Sequence, residues 1–256
     1  MAEIEIVRRG GEGPKFVTGS LLRHILAMTA AGAIGLMAIF VGDLANIYFL
    51  SRIGDDAIVA AVGYASSILF FSTSIGIGLS IAATSLVAPA LGAQRRARAR
   101  RLTANAHVLA FAFSAIASLL LWLTIDPALR LLGASGRTFD LASFYLAYLL
   151  PTLPFLALGM TSSAVLRSVG DARRAMNVTL WGAIANTILD LIFIVHFGLG
   201  IEGAVLSSAI ARVVMMGVGL CGVVRVHDLM GRSKIATLRQ DVSPYWRIAL
   251  PAGLTN

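Results

Sequence analysis

The chain has 256 residues, 57% hydrophobic and 13% charged, with a mean hydropathy of +0.83. Soluble domains carry about 25% charged residues, so the composition excludes a soluble globular protein and defines an integral membrane protein. The net charge is +8, but the basic residues lie between apolar runs, where they read as topology signals; no nucleic-acid partner is expected, and the single cysteine, Cys221, excludes a disulfide framework.

Residues 1–19 mix Glu3, Glu5, Arg8, Arg9, Glu12 and Lys15 with Gly10, Gly11 and Gly13. With no apolar segment and no small-residue cleavage site, they read as a cytoplasmic tail and not as a signal peptide. A bilayer core of about 30 Å needs roughly 20 apolar residues per helix. Six runs within residues 20–226 qualify: about 22–50, 57–90, 102–125, 139–166, 175–197 and 201–224. Gly54, with Asp55 and Asp56 behind it, turns the chain into the second run, where acids suit a helix start. Ser72, Thr73, Ser74, Gly76, Gly78 and Ser80 give that run a small-residue face for close helix approach. A short amphipathic stretch follows Asp126-Pro127, and Pro151 and Pro154 predict a kink in the fourth run. Residues 227–244 read as a basic linker on the cytoplasmic membrane surface. A seventh run, 245–256, has about twelve residues, too few to span the bilayer. The chain is therefore expected to be part of a longer protein.

Basic residues fix the orientation. Arg8, Arg9, Lys15 and Arg23 lie in the tail and at the entry to the first run. Arg95, Arg96, Arg98, Arg100 and Arg101 lie between the second and third. Arg167, Arg173 and Arg174 lie between the fourth and fifth, and Arg225, Arg232, Lys234, Arg239 and Arg247 follow the sixth. The other connections hold only Arg52, Arg130 and Arg137. This alternation places the N-terminus in the cytoplasm of a multi-pass plasma (inner) membrane protein.

Polar groups inside apolar runs carry the chemistry. Asp190 sits in the fifth run, where a carboxylate facing lipid costs several kcal/mol, so it should face protein or a water-filled cavity. Asn186 lies four residues earlier, on the same helix face. Together they suit a small cation or a proton; the alternative is a polar clamp between helices. Asp43 in the first run is either a second cavity-facing acid or a group reaching headgroup water. Ser207 and Ser208 are small hydroxyls beside Gly203 and Ala204, where close packing alone would explain them. Arg212, one turn beyond Ser208, either pairs with Asp43 or Asp190 or snorkels along its helix. No phosphate-binding loop, Ser/His/Asp grouping or metal-binding constellation is present, so no enzyme activity and no cofactor are expected.

Several stretches resemble the amino-terminal lobe of the MATE (multidrug and toxic compound extrusion) antiporters. They are Asp43 through Gly54, residues 86–93 (Leu-Val-Ala-Pro-Ala-Leu-Gly-Ala), and Leu166-Arg167-Ser168-Val169-Gly170-Asp171. Asn186 to Asp190 and Gly200 to Ser208 follow at the family's spacing. The resemblance covers roughly residues 20–256. It implies an all-α, six-helix membrane lobe of a twelve-helix transporter plus the start of a seventh helix. It also implies cation-coupled efflux of small organic, cationic or amphipathic compounds by alternating access. Matched residue by residue, it assigns Asp43, Asn186, Asp190 and Ser208 to a site for Na⁺ or H⁺, Ser208 standing where Thr is usual. Arg212 and Met28 are candidates for lining the cavity, Met28 standing where many members have a helix-bending proline. No metal beyond that Na⁺ is implied. The partners implied are membrane lipid, the organic substrates and a carboxy-terminal lobe. The alternatives are a lipid-linked or polysaccharide flippase of related architecture and a non-transporting membrane lobe.

Overall fold

The computed structural model describes residues 21–52, 54–231 and 235–254. The tail expected over residues 1–19 lies outside the described residues, as do 255–256 at the end of the seventh run. The described residues form helices α1 (Leu21–Ser51), α2 (Asp56–Gly92), α3 (Arg96–Leu123), α4 (Ile125–Leu131), α5 (Gly136–Leu149), α6 (Leu153–Ser168), α7 (Ala172–Asp190), α8 (Gly200–Cys221) and α9 (Ile235–Leu254). Helices α7 and α8 each run on into a wider π-helical turn, Leu191–His196 and Gly222–Val226. Six stretches among the described residues are long and apolar enough to cross a membrane: Met28–Ser51, Asp56–Gly92, Arg96–Leu123, Gly136–Ser168, Ala172–His196 and Gly200–Val226. This is the six-pass, all-helical lobe that the apolar runs predict, and α4 is the short amphipathic stretch after the third pass.

The fourth pass shows how the sequence shapes a helix. Pro151 and Pro154 remove two backbone donors, and the chain tightens into a 3₁₀ turn over Leu150–Thr152 between α5 and α6. In an unbroken helix the lost N–H groups would serve the carbonyls of Ala147 and Leu150. Side chains of α3 take their place: Trp122 Nε1 donates to Ala147 O at 3.2 Å, and Ser118 Oγ donates to Leu150 O at 2.6 Å. Neither of these two carbonyls is abandoned in an apolar setting, where each would cost several kcal/mol.

The two ends of the bundle are tied differently. At one end Asp55 caps α2 through the Ala57 amide (3.1 Å) and pairs with Arg137 at 2.6 Å. The other end is rich in arginine. There Arg96 donates to the His227 carbonyl (2.9 Å), Arg100 pairs with Asp228 (3.0 Å), and the Gly231 amide donates to the Arg100 carbonyl (3.0 Å). The segment 227–231 is thereby laid along the start of α3. The linker read over 227–244 is shorter than the sequence suggests, because α9 begins at Ile235, ten residues before the apolar run at Tyr245. Residues 232–234 of that linker lie outside the described residues. Pro244 and Pro251 sit inside α9 without ending it.

Gly170 turns the chain at φ +87°, a conformation that favours glycine, and delivers Asp171 to the start of α7. Asp171 accepts the Arg174 amide (3.1 Å) and the Arg174 guanidinium, and it meets His227 Nε2 at 2.9 Å. Burial alone would raise the Asp171 carboxyl. The hydrogen bonds from Arg174 and His227 and the Arg174 charge outweigh it and hold the carboxyl below the usual carboxylate range. A depressed carboxyl contributes stability above its unfolded value of about 3.9, and that contribution is lost as pH falls through the folded value. Asp171→Asn is expected to lower the thermal midpoint at neutral pH, and the gap to wild type should narrow as pH drops below about 4. Thermal unfolding of the detergent-solubilised protein measures this; a gap constant with pH contradicts it.

Candidate functional site

Asp190 is the last residue of regular α7 and has 0% of its surface exposed. Its carboxylate accepts three hydrogen bonds from three helices. Asn186 Nδ2 of its own helix donates to Oδ2 at 2.9 Å, and Asn46 Nδ2 of α1 donates to the same oxygen at 3.0 Å. Ser207 Oγ of α8 donates to Oδ1. Hydrogen bonds to a charged group contribute about 1.5–3 kcal/mol each. Three of them are comparable with the several kcal/mol that removing a carboxylate from water costs.

Local structure explains each partner. Asn186 and Asp190 share a face by their spacing of four. Ser207 arrives through a close helix crossing. Gly203 lies against the backbone of Phe193 in the π-helical turn, where an added Cβ would stand 3.0 Å from the Phe193 carbonyl carbon. Ser207 is one turn on from Gly203 along the same face, so it meets Asp190. Ser208, one residue on and so rotated about 100° around α8, is turned away from Asp190 and lies near Tyr145 of α5. π-Helical turns recur beside functional groups, and this one directly follows Asp190.

Asp43 lies on α1, one turn before Asn46, with its side chain on an exposed face. It is within electrostatic reach of both Asp190 and Arg212. Arg212 Nη1 donates to the Leu149 carbonyl at 2.8 Å and to Thr152 Oγ1 at 2.6 Å. Its guanidinium thus braces the proline break between α5 and α6, with Asp43 and Tyr145 as charged or ionisable neighbours. Met28 is partly buried on α1, fifteen residues before Asp43. At the helical rise that is roughly 22 Å along the axis, so Met28 is not brought to the acids.

Of the residues singled out in the sequence, Asn186 is bonded to Asp190, joined there by Asn46 and Ser207, while Asp43 and Arg212 are within electrostatic reach of one another and Ser208 lies by Tyr145. The sequence carried a signal for both additions. Asn46 is a polar residue in an apolar run, three positions from Asp43. Gly203 marks a close crossing, and the hydroxyl four residues on shares its face. Among the described residues no three or more His, Cys, Asp or Glu side chains cluster as a metal centre. The oxygen set here, two carboxylates with amides and hydroxyls, suits a small hard cation or a proton.

Fold and site together define a membrane-carrier lobe: six spans around an internal acid. The MatE family profile matches residues 32–192, and the chain belongs to that family, whose members are transporters and not enzymes. It is 29% identical over 242 residues to a FAD transporter of Shewanella oneidensis, covering 91% of this chain and 53% of that protein. It is 24% identical over 243 residues to the multidrug export protein MepA of Staphylococcus saprophyticus, covering 94% of this chain and 54% of that protein. The chain therefore spans about half the length of the curated relatives it matches. The fold superposes with a TM-score of 0.85 on the outward-facing conformation of a multidrug resistance MATE family transporter of the MOP superfamily. That match is 24% identical and covers 96% of this chain and 55% of the other.

The three-donor arrangement predicts energetic coupling. Asn46→Ala leaves the buried carboxylate short of a donor and is expected to lower stability by about 1–3 kcal/mol. In an Asp190→Asn background the same change should cost less, giving a coupling of about 0.5–3 kcal/mol in a double-mutant cycle. Additive losses in thermal or denaturant unfolding would refute the contact.

Proposed function

We propose that this chain is the amino-terminal lobe of a cation-coupled exporter of small organic compounds. It works by alternating access in the inner membrane, with its arginine-rich end in the cytoplasm. The observation that carries the reading is Asp190: a carboxylate with no exposed surface, inside an apolar span, held by three helices and within electrostatic reach of a second acid, Asp43. Structure alone needs no charge there, since an amide would bridge the same helices at lower cost. A charge that can be neutralised by Na⁺ or H⁺ gives the lobe two states of different energy, and a ligand shifts a conformational equilibrium only through such a difference. Asp43, Asn186 and Asp190 are the groups assigned to the cation, with Asn46 and Ser207 orienting the Asp190 carboxylate; Ser208, which turns toward Tyr145, leaves the hydroxyl role to Ser207. Relatives about twice as long support a second lobe as partner, against which this one rocks around a central site.

Two relatives' names bracket the substrate: a multidrug export protein and a FAD transporter. Arg212, within electrostatic reach of Asp43, is a positive group that an anionic dinucleotide could meet, which keeps the second substrate class open to test. A flippase for a polyanionic lipid needs a strongly cationic lumen, and near the acids the described residues supply Arg212 alone.

The test is transport by the reconstituted carrier in vesicles with an imposed proton or sodium gradient. A cationic dye and flavin adenine dinucleotide serve as cargo. Asp190→Asn is expected to insert normally and to reduce gradient-driven efflux to the level of protein-free vesicles. Wild-type efflux in that variant would refute the assignment of Asp190.

A further inference from the structure

Arg212 carries more charge and more donors than its structural task uses. It lies near the middle of the Gly200–Val226 span, twelve residues from one end and fourteen from the other. That is roughly 18–21 Å of helix from either end. A guanidinium at that depth is costly unless it meets a partner, and such a residue marks a functional site by default. One nitrogen serves the fold: Nη1 donates to the Leu149 carbonyl and to Thr152 Oγ1. That task needs no charge. At the same proline break the carbonyls of Ala147 and Leu150 are satisfied by Trp122 and Ser118, both neutral.

The rest of the guanidinium fork is uncommitted. Among the described residues the side-chain polar atoms buried without a partner are Arg101 Nε, Thr103 Oγ1 and Thr161 Oγ1. Nε and Nη2 of Arg212 make no hydrogen bond among those residues either, yet they are not enclosed, and the residue is partly exposed. No carboxylate among the described residues is close enough to form an ion pair with it. Asp43 acts on Arg212 only at longer range, so it weakens the pull on an anion without forming a pair that an anion must break. Ser208 lies one turn before Arg212 on the same helix face, near Tyr145, and brings two hydroxyls to that side. Close packing holds the helix in place. An added Cβ at Gly159 would stand 2.9 Å from Met215 Cγ, and one at Gly182 would stand 3.3 Å from Met215 Cβ, so α6 and α7 both lie on α8 beside Arg212. The open donors are thus fixed before any ligand arrives, which lowers the cost of binding one.

A guanidinium presents its N–H groups as a planar fork that matches two oxygens of a phosphate or carboxylate. Carriers of this kind bind their substrates near the bilayer midplane, which is where Arg212 lies along its span. The geometry points to Arg212 as the recognition residue for the anionic group, a phosphate or a carboxylate, of a water-soluble organic cargo, with the Ser208 and Tyr145 hydroxyls beside it. Asp190 and its partners keep the coupling role, and Arg212 selects the cargo. The inference rests on the carrier reading for the word cargo, but anion binding at Arg212 is measurable at equilibrium without any transport.

The experiment is equilibrium binding to the purified full-length carrier in a neutral detergent, with two probes that share one ring system: 1-naphthyl phosphate and neutral 1-naphthol. The readout is the ratio of their affinities on the same protein. The phosphate is expected to bind about ten-fold or more tightly than the naphthol. Arg212→Gln should bring the ratio to one. Arg212→Lys keeps the charge without the fork and should retain part of the preference. Thr152→Val loosens the brace but keeps the guanidinium, and should retain all of it. No phosphate preference in wild type, or a preference that survives Arg212→Gln, overturns the proposal. Equal loss of the preference in Arg212→Gln and Thr152→Val also overturns it, because Arg212 would then act as a brace alone. Phosphatidylglycerol added to the micelle should not displace the phosphate probe; displacement would overturn the soluble cargo in favour of a lipid headgroup. Gradient-driven efflux of a cationic dye by the same preparation reports separately on the carrier reading. Loss of efflux with the phosphate preference intact would strike that reading and leave the anion site standing.

Discussion

One buried carboxylate organises this lobe. Asp190 has no exposed surface, and its oxygens are satisfied only if α1, α7 and α8 approach closely enough to place Asn46, Asn186 and Ser207 around it. An apolar environment makes that requirement strict, since a missing donor leaves a charge unpaired where no water can replace it. Other features follow from it. Gly203 must lack a side chain so that α8 can lie on Phe193, and the π-helical turn after Asp190 supplies the backbone that α8 lies on. Arg212, on the same helix as Ser207, then reaches across to brace the proline break after α5.

The prolines and arginines solve a second problem, which is how a helical bundle breaks its helices without stranding backbone groups. At Pro151 and Pro154 the answer is a pair of side chains from α3, Trp122 and Ser118, that stand in for the lost intrahelical bonds. At the arginine-rich end the side chains that set topology have further partners. Arg96 and Arg100 hold the segment after α8, and Arg101 leans toward α9. A positive charge distribution read from sequence only as an orientation signal thus also builds the platform on which the next helix docks.

The parts of this structure that were legible in the sequence are those governed by one element at a time. Twenty apolar residues make a span whatever surrounds them, so six spans could be drawn from the chain. Pro151 and Pro154 declare their break by missing donors, and the spacing of four between Asn186 and Asp190 declares a shared face. What was not legible depends on how two helices meet. Ser207 and Ser208 are adjacent and chemically identical, and only the crossing at Gly203 decides that Ser207 faces Asp190 and Ser208 faces Tyr145. Arg212 had several candidate partners in sequence; its main contacts are a carbonyl and a hydroxyl sixty or more positions away. The polar stretch before Tyr245 read as linker because Asp241 is charged, yet it is helical and Asp241 is buried, since Asn105 of another helix receives it.

The central claim is that Asp43 and Asp190 act on one coupling cation, and equilibrium cation binding tests it most directly. Purified carrier can be titrated with radioactive sodium while proton release is followed on the same sample. The account predicts a single class of site that is lost on either Asp43→Asn or Asp190→Asn, with no further loss in the double variant. Undiminished cation binding in Asp43→Asn would contradict it, because the exposed acid would then be a bystander to the buried one.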